Sequence, residues 1–331
     1  MELQAFDRIA PFVRMMRVKQ DLASAGKWQD IDHVFTLITS GNADFIVDGI
    51  RYSLKKGDVI LIPPFQTHVI VPLGKETLAQ HILHFDFFED PKRCGMLHED
   101  VLEQDLPKVV PERERLLNGR VFVASLDSAQ FEETVRLYEK MYREFRELCA
   151  GAGCPALLQA YCVQLLVETL RVGSEGREHQ IETGAVKSRS WLHIENALAY
   201  INAHYADEDL SNECISEAIG VSPNYLPKRF RVCFDMPLHR YVVRLRIEKA
   251  QQMLLAGRCN ITEAAAATGF SSIHVFSKTF KSVLGMTPSA YMENAADERA
   301  VLRYYNDRQQ SDRGGHAMAS VRPKKDQTGG E

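Results

Sequence analysis

Apolar positions recur in short runs between residues 28 and 123. Val34-Phe35-Thr36-Leu37-Ile38 stops at Gly41-Asn42, and Phe45-Ile46-Val47 runs into Asp48-Gly49, a dipeptide suited to a tight hairpin. Tyr52-Ser53-Leu54, Gly57-Asp58 and Val59-Ile60-Leu61-Ile62 follow, closed by Pro63-Pro64. Strands this short and regularly punctuated predict a small antiparallel barrel or sandwich. Over 125–172 the period lengthens. Phe131, Val135, Tyr138, Tyr142, Phe145 and Cys149 recur at threes and fours, Gly151 to Gly153 interrupt, and Leu158, Tyr161, Leu165 and Leu170 form a second stripe. This predicts an antiparallel helical pair that either packs on the barrel or forms a dimer seam. Residues 173–190 are polar and read as a linker, 191–294 are helical in pattern, and 295–331 hold too few apolar groups to fold.

The helical region repeats itself. Phe230 is followed by Asp235-Met236 and Tyr241, and Phe280 by Gly285-Met286 and Tyr291 at the same offsets, a period of 50 residues. Gly220-Val221-Ser222 likewise matches Gly269-Phe270-Ser271. Each unit reads helix, glycine turn, helix. Ser222 is placed to cap the second helix of the first unit with Pro223 at its first position, and Asn260 and Glu263 have capping-box spacing in the second. Pro237 opens a helix to Leu255, with Gly257 as its stop; at 1.5 Å per residue it is about 28 Å long. Successive major-groove faces of B-DNA are roughly 34 Å apart.

Charge sharpens this reading. The whole chain carries a net −4, yet residues 228–258 hold eight basic residues (228, 229, 231, 240, 244, 246, 249 and 258) against Asp235 and Glu248, a local +6. A cationic stripe of this kind fits phosphate binding. The composition, 45% hydrophobic and 25% charged, is that of a globular protein of two or three domains. No 18-residue apolar run predicts a membrane span, and no clean signal segment opens the chain. Seven cysteines without a CxxC pair fit a reducing cytoplasm.

Two stretches, YLPKRFRVCFDMPLHRYVVRLRIEKAQQMLL and ITEAAAATGFSSIHVFSKTFKSVLGMTPSAYM, make residues 191–294 resemble the DNA-binding domain of AraC/XylS-family transcription regulators. The resemblance implies two helix-turn-helix units joined by a linker helix. It places base-facing residues two and six positions before each core Phe: Asn224 and Lys228, then His274 and Lys278, with Ile273 beside them. Asn suits adenine, Lys guanine, and Ile a thymine methyl. Arg244 and Arg246 are candidate phosphate contacts, and Arg231 and Lys281 are further candidate DNA contacts. The first unit departs from the family pattern. Pro227 inside its reading helix is expected to kink the first turn, Arg229 replaces an apolar residue, and Asp235 replaces the turn glycine.

GNADFIVDGIRYSLKKGDVILIPPFQTHVI resembles the sugar-sensing cupin arm of the same family, and HILHFDF at 81–87 a further strand of it. The implied fold is multidomain α+β: a cupin-like barrel (1–124), a helical pair (125–172), a linker (173–190), an all-α DNA-binding domain (191–294) and a tail (295–331). Cupin metal sites use two His and a Glu from one motif and a His from a second. Here the first-motif positions fall near Trp28, Asp30 and Val34, and His68 alone matches, so no metal or cofactor is expected. His81 and His84, three apart on a strand, point to opposite faces. Trp28, His33, His68 and one of His81 and His84 are the candidate lining of a pocket for a small, sugar-like effector.

The expected partners are double-stranded DNA through adjacent major grooves, the effector, a second copy in a homodimer, and RNA polymerase, with no membrane. The competing functions are a metal-dependent cupin enzyme with a helical appendage, and a regulator whose barrel only dimerises.

Overall fold

The computed structural model describes residues 6, 8–21, 27–74, 76–90, 93, 110–174, 183–185, 189–234, 236–255 and 259–294. Much of the expected linker, the tail, Asp235, Gly257 and Arg258 lie outside them. Among the described residues, ten strands form two five-stranded antiparallel sheets. The first has the order β1 (Phe12–Asp21), β8 (Leu78–Asp86), β3 (His33–Ser40), β6 (Asp58–Ile62), β9 (Phe122–Ser125). The second runs β10 (Thr183–Ala185), β5 (Ile50–Lys55), β4 (Asn42–Val47), β7 (His68–Leu73), β2 (Lys27–Trp28). Asp48 and Gly49 join β4 to β5 with φ of 44° and 77°, the two positive values a primed hairpin turn requires. β10 is a correction to the linker reading: Thr183–Ala185 pairs with Ile50–Tyr52 and extends the sheet edge.

Strand alternation sorts the side chains into layers. Between the sheets, Ile38, Phe45, Val47, Leu54 and Ile60 form an apolar core. On the outer face of the first sheet, Phe35, Leu37, Leu61, Leu83 and Phe85 meet two helices, α1 (Ser128–Cys149) and α2 (Pro155–Ser174). Much of the predicted helical stripe is spent here: Tyr138 and Phe145 of α1 and Leu158, Leu165 and Leu170 of α2 are buried against the sheet, joined by Met141 and Cys162, which the pattern had not picked, while Phe131, Val135, Tyr142 and Tyr161 are partly buried at its edge. Burying such side chains contributes about 1.5–3 kcal/mol each. The Tyr138 hydroxyl pins α1 down, donating to the Ile82 carbonyl at 2.6 Å and accepting the Arg17 N–H at 3.2 Å. One end of the sandwich is closed by charge. Arg14 pairs with Asp86 and faces Asp32 at 3.7 Å, while Arg93 bonds the other Asp86 oxygen at 2.9 Å and the Ile31 carbonyl at 2.6 Å. All four side chains are buried.

The C-terminal part is helical: α3 (Arg189–His204), α4 (Asn212–Ala218), α5 (Tyr225–Phe234), α6 (Leu238–Leu255), α7 (Ile261–Ala267), α8 (Ile273–Leu284) and α9 (Pro288–Asn294). The duplication is physical. Phe230 meets Tyr241 edge-on at 5.1 Å and 69°, and Phe280 meets Tyr291 at 5.5 Å and 68°. Gly220 and Gly269 turn the two units with φ of 71° and 74°. At Gly269 a side chain has no room, since a Cβ would lie 2.7 Å from the Ala206 carbonyl oxygen. The Asn260–Glu263 capping box forms in both directions.

The start of α5 differs from expectation. It begins at Tyr225, whose N–H reaches the Ser222 carbonyl, and not at Pro223. Pro227 therefore sits in the first turn, where its missing N–H has no intrahelical partner to lose. That removes the reason for the expected kink. The first unit also shares a core with the barrel: Ile46, Val69 and Val71, on the outer face of the second sheet, pack with Trp191, Ile194 and Leu198 of α3.

Candidate nucleic-acid interface and effector cavity

The candidate reading face is built on α8. Ser272 caps it, accepting the Val275 N–H at 3.3 Å, and Phe276 and Phe280 anchor its inner side in a core with Ile247 and Leu254 of α6. The outer side then presents His274, Lys278 and Lys281 to solvent, with Ile273 and Val275 37% and 48% exposed. Two β-branched apolar side chains left out of the core on a cationic helix suit thymine methyls. Val275 was not picked out by the sequence pattern, although its position one residue before the core Phe276 signals an outward face. Asn224, just before α5, and Lys228 and Arg231 on it are exposed, while Leu226 and Phe230 are buried. The rod α6 has 18 residues, about 27 Å.

The cationic stripe is narrower than its charge count. Arg246 is not a free cation: its guanidinium donates to the carbonyls of Tyr205 at 2.8 Å, Asp207 at 2.6 Å and Gly269 at 2.8 Å. It clamps the rod to the end of α3 and to the turn of the second unit, which corrects its assignment as a phosphate contact. Lys249 is buried with its ammonium 5.7 Å from the Tyr205 ring. Arg244 is half-buried, reaching the Met236 sulfur at 4.0 Å. Among the described residues of the stretch, Lys228, Arg229, Arg231 and Arg240 are the exposed cations.

A cavity of about 90 Å³ lies between the sheets. Trp28 and His68 line one side, their rings stacked at 5.9 Å; Arg17, Gln80 and His84 line the other, and Asp30 is also in the wall. Glu248 and Gln252 of the rod complete it, and Lys19 at the mouth pairs with Glu248 at 2.9 Å. Arg17, Lys19, Gln80, Glu248 and Gln252 were not suggested for the pocket by the sequence, and Asp30 entered only as a position of the first cupin motif. Burial holds His68 neutral, pushing its imidazole down to about 4. His84 moves the other way: burial opposes its charge, but Asp32, 3.0 Å from its Nδ1, raises it overall.

His33 and His81 are corrections to the expected pocket lining. Both project from the opposite face of their strands. His33 lies 4.4 Å from the Phe87 ring and 3.6 Å from Glu114, and His81 stacks on Tyr138 at 4.4 Å. Burial pushes the His81 imidazole down to about 4. A folded-state value below the unfolded 6.5 means stability is complete above 6.5 and is lost as pH falls toward 4. His81→Phe is therefore expected to shrink the drop in thermal midpoint between pH 7 and pH 4.5; an unchanged drop in scanning calorimetry would count against this role.

Known proteins resemble two parts of the chain. Residues 22–102 match a family model described as an AraC-like ligand binding domain, and residues 215–294 one described as a helix-turn-helix domain. The chain is 31% identical over 263 residues to YijO, an uncharacterized HTH-type transcriptional regulator of Escherichia coli, covering 75% of this chain and 77% of that protein. It is 32% identical over 100 residues to the regulatory protein PocR of Salmonella typhimurium (30% of this chain, 33% of PocR). It is 27% identical over 104 residues to the Msm operon regulatory protein of Streptococcus mutans (31% of this chain, 37% of that protein). The chain thus spans about a third of the length of those last two relatives. Among solved structures it is similar to the C-terminal domain of AraT, a response regulator from Geobacillus stearothermophilus, with 31% identity, 32% of this chain and 88% of that chain covered, and a TM-score of 0.31. It is also similar to ToxT from Vibrio cholerae, with 13% identity, 87% and 98% coverage and a TM-score of 0.38. No helix among the described residues is long and apolar enough to cross a membrane.

Proposed function

The chain belongs to the AraC family of helix-turn-helix transcription regulators, and on that footing we propose that it reads two adjacent major grooves under the control of a small polar effector held in the barrel. Lys278 and His274 contact base edges, Ile273 and Val275 meet thymine methyls, and Asn224 and Lys228 read the neighbouring groove. Arg231, Lys281 and Arg244 take phosphates. The observation that carries this is the pairing of two equivalent aromatic-cored units on a rod of groove-spacing length, each with its polar helix face turned outward.

A carbohydrate is the effector class we favour: the Trp28 face suits sugar C–H groups, and Asp30, Gln80 and His84 suit hydroxyls. Glu248 and Gln252 belong both to the cavity wall and to the rod between the heads. An effector that bonds them, or breaks the Lys19–Glu248 pair, binds one arrangement of the heads better than another and shifts the population toward it. A homodimer and contact with RNA polymerase complete the reading. With the inward stripe spent on the barrel, the dimer seam falls to the outer face of the helical pair, where Leu157 is exposed, and sedimentation equilibrium tests it. Cytoplasmic placement follows from the same reading.

Lys278→Ala and Arg231→Ala separate base reading from phosphate contact. Loss of Lys278 is expected to cost about 1–3 kcal/mol on the preferred duplex and to flatten base preference at its position. Loss of Arg231 should weaken all duplexes evenly and reduce the salt slope by about 1. Equal discrimination ratios in the two variants, in salt-dependent mobility-shift titrations, would remove the assignment of roles. For the effector, a thermal-shift panel of sugars is expected to yield a ligand that stabilises the wild type and does so less in Trp28→Ala.

A further inference from the structure

Among the described residues, the cavity wall holds a cation without a counter-ion and an amide without a hydrogen bond. Strand alternation puts Arg17 and Lys19 of β1 on the cavity face, and the β1–β8 register sets Lys19 opposite Gln80 and Arg17 opposite Ile82. Arg17 and Gln80 are thus diagonal neighbours, about 7–8 Å apart at the backbone and within reach of long side chains. Gln80 is 1% exposed, and neither its amide nitrogen nor its amide oxygen makes a hydrogen bond among the described residues. A buried amide with both ends unmet destabilises the fold, and in a cavity wall it is a group held ready for a ligand. The charges point the same way. Lys19 is paired with Glu248 at 2.9 Å. The carboxylates of Asp32 and Asp86 face Arg14, Arg93 and His84, and Asp30 lies near the two histidines of the wall. Arg17 makes no ion pair among the described residues, and its positive charge acts against that of His84.

We propose that Arg17, Lys19 and Gln80 form a seat for a carboxylate, so that the effector is an acidic carbohydrate, a sugar acid. The inference rests on the effector reading of the cavity and adds the group that a neutral sugar lacks. The planar Arg17 guanidinium matches both oxygens of a carboxylate with its fork of donors. The Gln80 N–H donates to one of them, and the Gln80 carbonyl accepts from a hydroxyl on the adjacent carbon, which leaves the rest of the sugar to Trp28. Glu248 already presents a carboxylate to Lys19 at the mouth, and the carboxylate of the ligand competes with it for the ammonium. A neutral sugar has no such claim on that pair, so the acid group is what couples the cavity to the rod.

The probes are three matched pairs at constant ionic strength: D-glucuronate with D-glucose, D-galacturonate with D-galactose, and D-gluconate with D-glucitol. Each is titrated into the full-length protein by calorimetry. At least one acid is expected to bind about 10-fold or more tightly than its neutral counterpart. Arg17→Gln should erase that preference by weakening the acid while leaving the neutral sugar unchanged. Glu248→Gln, which frees Lys19, should tighten the acid alone. Gln80→Met should weaken the acid by about 10-fold and, by removing the unmet amide, raise the thermal midpoint of the ligand-free protein by about 2–4 °C. A glutamine with a merely structural role would lower that midpoint when replaced. Wild-type preference in Arg17→Gln, a lowered midpoint in Gln80→Met, or no acid bound better than its neutral counterpart would overturn the seat. A neutral sugar bound without any preference for its acid leaves the effector reading standing while the seat falls; failure of every sugar and every acid to bind removes both.

Discussion

Arg246→Ala is expected to abolish selective DNA binding and to lower stability by about 3–5 kcal/mol, although the side chain touches no base. Its guanidinium satisfies three backbone carbonyls, those of Tyr205 and Asp207 just after α3 and that of Gly269 in the turn of the second unit. A hydrogen bond to a charged group contributes about 1.5–3 kcal/mol, and an abandoned buried acceptor carries its own desolvation cost. The Gly269 carbonyl lies in the turn that orients α8, so its loss frees the reading helix from the rod. Arg246→Lys keeps the charge but not the fork, and should recover only a minor part of both properties. Calorimetry and mobility shifts check this together. A variant of wild-type thermal stability, with affinity lowered evenly and a shallower salt slope, would return Arg246 to the phosphate contacts.

Arg14→Met is expected to cost about 3–5 kcal/mol in the barrel, because it strips a buried cation from Asp86 and Asp32 and leaves Asp32 with only His84, and Asp86 with only Arg93, as partner among the described residues. Arg93 remains on Asp86 but not on Asp32. The two partners should therefore be strongly coupled: Arg14→Met combined with Asp86→Asn is expected to be less destabilising than the sum of the single changes, by 1 kcal/mol or more on the scale of about 0.5–3 kcal/mol found for contacting residues. Urea unfolding of the four proteins gives the cycle. Strict additivity would mean that the cluster is a by-product of crowding and not the plug of the sandwich.

What could be read from the sequence was local. The Asp48-Gly49 hairpin, the Asn260–Glu263 capping box and the i, i+4 pair Phe276 and Phe280 each depend on residues a few positions apart, and each formed as the spacing required. The fifty-residue duplication was equally legible, since it repeats a set of core aromatics. The role of Arg246 was not, because its partners are backbone carbonyls 23 to 41 residues away and every residue has a carbonyl. The cavity was only half visible. Residues 33–38 are buried on both faces of the sheet, so the run Val34-Phe35-Thr36-Leu37-Ile38 gives no inside or outside, and His33 could not be assigned. Between His81 and His84 the period of two decided that they part, but only the helices packed on one side decide which of them meets the cavity. Glu248 and Gln252 enter the cavity wall from a different part of the chain, beyond the reach of any local pattern.

The central claim is that twin helix-turn-helix heads, spaced by the rod α6, read neighbouring grooves of one duplex. Hydroxyl-radical footprinting of the full-length protein on a duplex selected from a random pool tests it most directly. The account predicts two protected patches on one face of the DNA, about 10 base pairs apart, with base preference at one patch erased by Lys278→Ala. A single patch, or a pool that yields no preferred duplex over random competitor at moderate salt, would contradict it.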